Sequence, residues 1–297
     1  MALRLATLMA TMMMTGAAQA ACFVGGTALP NPRAALAAAD HGQAGREVMS
    51  AVLDGEVATV ERLLRADGTL VSTHGGPNGD LLTLAIAQCD KPMVERLLAL
   101  GASPDGAPGA IPLSLALRAT DPWFADRLLK AGAQAGRRED GAYWPLKAAI
   151  GLNALGAVRL LVDHGAPVEA HDASGATPLR LAVEQQNFRI AEFLLSKGAN
   201  PWSVGGNGET VGAVIDGPVR PGEPEEQAAR PRVVAMLQQA GWRFPNVYDP
   251  QETRRLVLAG VWPPAEARAA GWTIPPPAQI KTRMGRYWAT AGDKRPR

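Results

Sequence analysis

Four residues close together carry side chains able to hold a metal or move a proton: Asp163, His164, His171 and Asp172. Their spacing does not match a zinc set, which needs ligands arranged so that four donors converge. His164 precedes Gly165, where an imidazole meets the negative end of a helix, and His171 falls in a turn. No metal or other cofactor is therefore expected. There is no H-E-x-x-H, no G-x-S-x-G and no phosphate-binding loop. The glycine clusters at Gly75-Gly76-Pro77-Asn78-Gly79 and Gly205-Gly206-Asn207-Gly208 read as turns, so catalysis is not expected. The remaining reactive pair is Cys22 and Cys89. Two cysteines allow one intramolecular bridge, and an oxidising compartment would permit it. The alternative is that Cys89 packs as a small apolar side chain at the end of a helix.

The elements that must position these residues repeat along the chain. Ile111-Pro112-Leu113-Ser114-Leu115-Ala116, Trp144-Pro145-Leu146-Lys147-Ala148-Ala149 and Thr177-Pro178-Leu179-Arg180-Leu181-Ala182 place proline at 112, 145 and 178, thirty-three residues apart. Seventeen residues after each proline an apolar helix end leads into Ala131-Gly132-Ala133, His164-Gly165-Ala166 or Lys197-Gly198-Ala199. Proline in the first turn forfeits no helical hydrogen bond, and glycine after the last turn takes a left-handed conformation without a Cβ penalty. Phe188 to Ser196 puts Ile190, Phe193 and Leu194 on one stripe and leaves Arg189 and Glu192 for solvent. A helix pair this short cannot bury its own apolar face, so it must stack on copies of itself.

Gly175-Ala176-Thr177-Pro178-Leu179-Arg180-Leu181-Ala182, with Leu194-Leu195-Ser196-Lys197-Gly198-Ala199-Asn200 after it, resembles the ankyrin repeat family. Arg180 stands where that family has histidine, and Trp144 and Ile111 where it has threonine, which weakens the turn rather than the packing. The resemblance implies an all-α ankyrin-repeat solenoid of about five to six helix-pair repeats with short hairpin loops and a Trp/Pro-rich C-terminal cap. The repeat domain is expected over 46–243, with units near 46–73, 75–105, 106–138, 139–171, 172–204 and 205–243. An insert at 217–229, rich in proline, reads as a loop. Residues 244–275 are expected to form a helical cap in which Trp rings cover the last repeat. Residues 276–297 form a basic tail, read either as a solvated flexible end or as a segment docking to an acidic surface.

At the other end, Arg4 precedes an uncharged run to Met14 and then the small residues Ala18 and Ala20, the order of a cleaved signal peptide over 1–20. Gln19 is not the aliphatic residue that lipid attachment at Cys22 would want. Residues 21–45 are an N-terminal extension. Export is expected, to the periplasm first and outside the cell second, with no membrane span after signal removal.

The 297 residues are 47% apolar and 20% charged with a formal charge of +2, which suits a folded domain and lacks the concentrated positive field of a nucleic-acid binder. The expected function is binding of another protein by a monomer, without chemistry, in the form of an immunity protein or inhibitor or as a scaffold. The resemblance selects a concave face formed by hairpin tips and first helices: Arg118, Arg138, Asp140, Tyr143, His171, Ser174, Glu184, Gln185, Asn207 and Glu209. Tyr143 is the expected anchor, while Trp144 reads more simply as packing between repeats. Two alternatives stand beside this one. The Trp-rich region from Phe244 to Arg297, with Trp262, Trp272 and Trp288, could stack on a sugar or cell-wall fragment, or the chain could be an accessory partner of another exported enzyme.

Overall fold

The computed structural model describes residues 22–107, 110–136, 145–172, 175–205, 208–218 and 223–274. The expected signal peptide and the basic tail lie outside them. The chain divides into two compact units, Met1–Ala135 and Gly136–Arg297. Among the described residues the regular structure is helical, with antiparallel β contact confined to isolated bridges.

In the first unit, α1 (Pro32–Ala37) leads into three helical hairpins: α2 (Gly42–Leu53) with α3 (Val57–Ala66), α4 (Leu81–Ala87) with α5 (Lys91–Ala99), and α6 (Pro112–Ala116) with α7 (Trp123–Lys130). The first helices of successive hairpins stack side by side, α2 on α4 and α4 on α6. Every residue of α4 is buried, because its neighbours cover both flanks. Full burial of one Leu or Ile contributes roughly 1.5–3 kcal/mol, so a seven-residue helix is held by its neighbours rather than by its own propensity. Asp80 fastens two levels at once: Oδ1 accepts the Thr83 N–H at 2.7 Å as the α4 cap, and Oδ2 accepts the Ala107 N–H of the next hairpin at 2.8 Å. The glycine cluster turns between the bridged residues His74 and Asp80, in agreement with its reading as a hairpin.

In the second unit, α8 (Pro145–Gly151) pairs with α9 (Leu155–Asp163), α10 (Pro178–Glu184) with α11 (Phe188–Ser196), and α12 (Val211–Ile215) with α13 (Pro224–Gln239). Here α10 lies between α8 and α12, and α11 between α9 and α13. Buried Asn187 ties the α10–α11 turn to the preceding repeat by donating to the Ile150 carbonyl at 2.7 Å. Two short helices follow, α14 (Pro250–Leu258) and α15 (Ala265–Ala269).

The structure departs from the sequence reading at several places. The first hairpin begins at Gly42, inside the stretch read as extension, and α1 also lies within that stretch. The insert does not run as a loop to Ala229, because α13 starts at Pro224. Proline suits a first helical turn, and Glu225 and Glu226 there face the positive end of the helix dipole. Pro231 sits inside the same helix. Arg189 and Glu192 are not left to solvent alone: Arg189 pairs with Glu225, and both oxygens of Glu192 take hydrogen bonds from the Arg232 guanidinium at 2.6 and 2.8 Å.

Candidate functional site

The charged surface of the second unit is organised by a residue that the sequence reading treated only as a departure from pattern. Arg180, in the first turn of α10, is buried, its side chain 7% exposed. Its Nη1 lies 3.6 Å from Glu184 and 3.4 Å from Glu209, whose side chains are 46% and 40% exposed. Thr177 caps the helix by accepting the Arg180 N–H. A buried guanidinium must be compensated, and its compensation holds two carboxylates from consecutive repeats at the surface. One cation beneath two carboxylates ties the end of α10 to the next hairpin. The signal was present in the sequence: an Arg in the first helix, four residues before Glu184 and one repeat before the hairpin that carries Glu209.

Gln185, which follows Glu184 at the end of α10, is exposed. His171 is half-buried in the preceding hairpin, beside Asp172, which accepts the Ala176 N–H and pairs with Lys147 at 2.7 Å. Glu184, Gln185 and Glu209 are thus brought together about α10, with His171 one hairpin earlier in the chain. Arg118 belongs to the first unit. Arg138, Asp140, Tyr143, Ser174 and Asn207 lie outside the described residues, as does Trp144.

The tryptophans form a different kind of site. Trp202 and Trp242 stack at 4.2 Å with planes 13° apart, and Trp262 and Tyr248 close on them edge to face. Trp202, Trp242 and Trp262 are 1%, 2% and 3% exposed, so none of the three presents a free face. Their indole N–H groups donate to the carbonyls of Ala240, Pro201 and Trp202. This is a sealed core that joins the last hairpin to α14 and α15. The sequence reading missed Trp202 as its centre, having taken only the later tryptophans as the cap. Trp272 is half-buried, and Trp288 lies outside the described residues.

Cys22 and Cys89 are joined, with Cα atoms 6.5 Å apart. Cys89 occupies the turn after α4 with φ 57°, so it is neither helical nor packed as a free apolar side chain. Among the described residues there is no group of three or more metal-capable side chains and no helix long and apolar enough to cross a membrane.

Residues 113–204 match the family model of ankyrin repeats in three copies. Over 72 residues, 24% of this chain, the sequence is 38% identical to an ankyrin repeat and LEM domain-containing protein 1 homolog of Caenorhabditis elegans. Over 72 residues it is also 43% identical to a BRCA1-associated RING domain protein 1 of the same organism. In both cases the matched stretch spans about 10% of the relative's length. Stacked helix pairs, capped first helices, glycine-ended second helices and this match agree that the chain carries ankyrin repeats in an all-α fold, an architecture that implies a scaffold for protein–protein interaction.

Proposed function

We propose that the chain is a non-catalytic protein-binding scaffold that works in the periplasm or outside the cell, and that the Arg180–Glu184–Glu209 patch is its principal contact in the second unit. The carrying observation is a buried cation that fixes two exposed carboxylates from neighbouring repeats. Side chains already held in place lose little entropy on binding, and exposed carboxylates at fixed positions give hydrogen-bond donors of a partner a defined place to dock. The joined cysteines support an oxidising compartment. An inhibitor or immunity protein that covers an exported enzyme needs area rather than reactive groups, and stacked hairpins supply area. Sugar binding draws no support from Trp202, Trp242 and Trp262, which are buried against one another.

Affinity capture from the exported protein fraction of the host, followed by mass spectrometry, tests this. The native chain should enrich a partner that the double variant Glu184→Gln, Glu209→Gln loses while its circular dichroism spectrum and melting stay native. Equal enrichment by the variant, or no protein enriched under mild crosslinking, refutes the assignment.

A further inference from the structure

The first unit carries a groove that owes one wall to the N-terminal segment. Residues 22–31 form a strap fixed at both ends. At one end Cys22 is bonded to Cys89, and its carbonyl accepts the Thr120 N–H at 2.8 Å and the Thr120 hydroxyl at 3.1 Å. Phe23 bridges to Ala119 and is 5% exposed, and the Val24 N–H donates to the Arg118 carbonyl at 2.9 Å. At the other end Asn31 caps α1, which packs against α2 and the turn Gly76–Asn78. Between these anchors the strap faces the first helices α4 and α6 across an open groove of about 400 Å³.

Three features of the groove point to one kind of occupant. Its walls mix the apolar Leu29, Pro30, Pro77, Ile111 and Leu115 with the polar Asn31, Asn78, Thr83 and Ser114, and among its described lining residues the single charged one is Arg118. Arg118 is half-buried, and no carboxylate among the described residues pairs with it. A half-buried cation without an anionic partner gains most from a carboxylate, which a guanidinium can bind through two hydrogen bonds. Ala28 and Leu29 make no backbone hydrogen bond within the described residues, so the strap offers an extended edge to pair with. From Ile111 to Arg118 the α6 face runs roughly 10 Å at about 1.5 Å per residue, which matches about three residues of extended peptide.

We infer that this groove binds the C-terminal end of an extended peptide with aliphatic side chains, its α-carboxylate on the Arg118 guanidinium and its backbone along Ala28 and Leu29. The wall of the groove is set by the Cys22–Cys89 bond.

The test uses the oxidised full chain and acetyl-Ala-Val-Leu with a free carboxylate, followed by NMR titration and calorimetry, with the C-terminal amide of the same peptide as comparison. Saturable binding is expected, with the largest shifts at Leu29, Ile111 and Leu115. Affinity should fall at least about tenfold for the amide and for Arg118→Gln, since each removes a charge-assisted contact. Arg118→Lys should retain part of the affinity. Equal binding of acid and amide, shifts that avoid the groove, or no saturation at millimolar peptide overturns the inference. Should Arg118→Gln fail to fold, the acid–amide comparison on the native chain decides alone. Capture through Glu184 and Glu209 is read independently, so failure of one site does not imply failure of the other.

Discussion

Breaking the Cys22–Cys89 link should lower the stability of the first unit by about 4 kcal/mol at 25 °C, a figure that follows from loop length. The bond joins residues separated by 67 positions. Closing a loop of that size in the unfolded chain removes about 15 cal/mol/K of entropy in the chain-entropy model, which gives the estimate above. The native state should change little, because Phe23 is still buried and the hydrogen bonds of Cys22 and Val24 to the α6–α7 turn do not need the sulfur bond. For a unit of this size the loss corresponds to roughly 4 °C per kcal/mol, hence a fall in melting temperature of about 15 °C. Urea unfolding followed by far-ultraviolet circular dichroism, with and without dithiothreitol, measures it. Cys22→Ser without reductant should match the reduced native chain and should not respond to reductant. A change below about 1 kcal/mol on reduction, or an equal response of Cys22→Ser to dithiothreitol, would refute the reasoning, since the chain-entropy model gives about 4 kcal/mol for a loop of this span.

Truncating the centre of the aromatic core by Trp202→Ala should cost about 3–5 kcal/mol in urea unfolding, as expected for a fully buried large side chain. Gly212→Ala should also destabilise, because a Cβ there would overlap the Trp242 ring. Titration with a muropeptide should leave native fluorescence unchanged, and quenching that disappears in Trp202→Ala would show instead that the cluster opens to a ligand. The Glu192 carboxyl is held below its usual range by hydrogen bonds from Arg232. A depressed carboxylate stabilises the fold above its unfolded pKa of about 4.3, and this contribution is lost as pH falls through the folded value. Glu192→Gln should therefore lower the unfolding midpoint slightly at neutral pH, and the gap should close in acid as the depressed carboxylate protonates. A gap that persists in acid would show that the residue acts through packing rather than charge.

The repeat was legible in the sequence because each of its parts is a local physical requirement. Pro112, Pro145 and Pro178 must stand in first helical turns, Gly132, Gly165 and Gly198 must follow last turns, and short amphipathic pairs must stack. Those requirements fix the helices of the middle of the chain without reference to anything distant. The start of α13 was misread because proline breaks a helix only from within, and which side of a helix start a proline occupies is decided by the chain around it. What only tertiary structure decided are meetings between residues far apart in the chain. Burial of Arg180 recruits Glu209 from the next repeat, and Trp202 becomes the centre of a core whose other rings come from residues forty and sixty positions later. The strap reaches the α4–α5 and α6–α7 turns because Cys22 finds Cys89 and Phe23 finds a buried site, neither of which any local pattern specifies. Local propensity is written in spacing, whereas the neighbours of a side chain across a stack depend on how successive hairpins are set against one another.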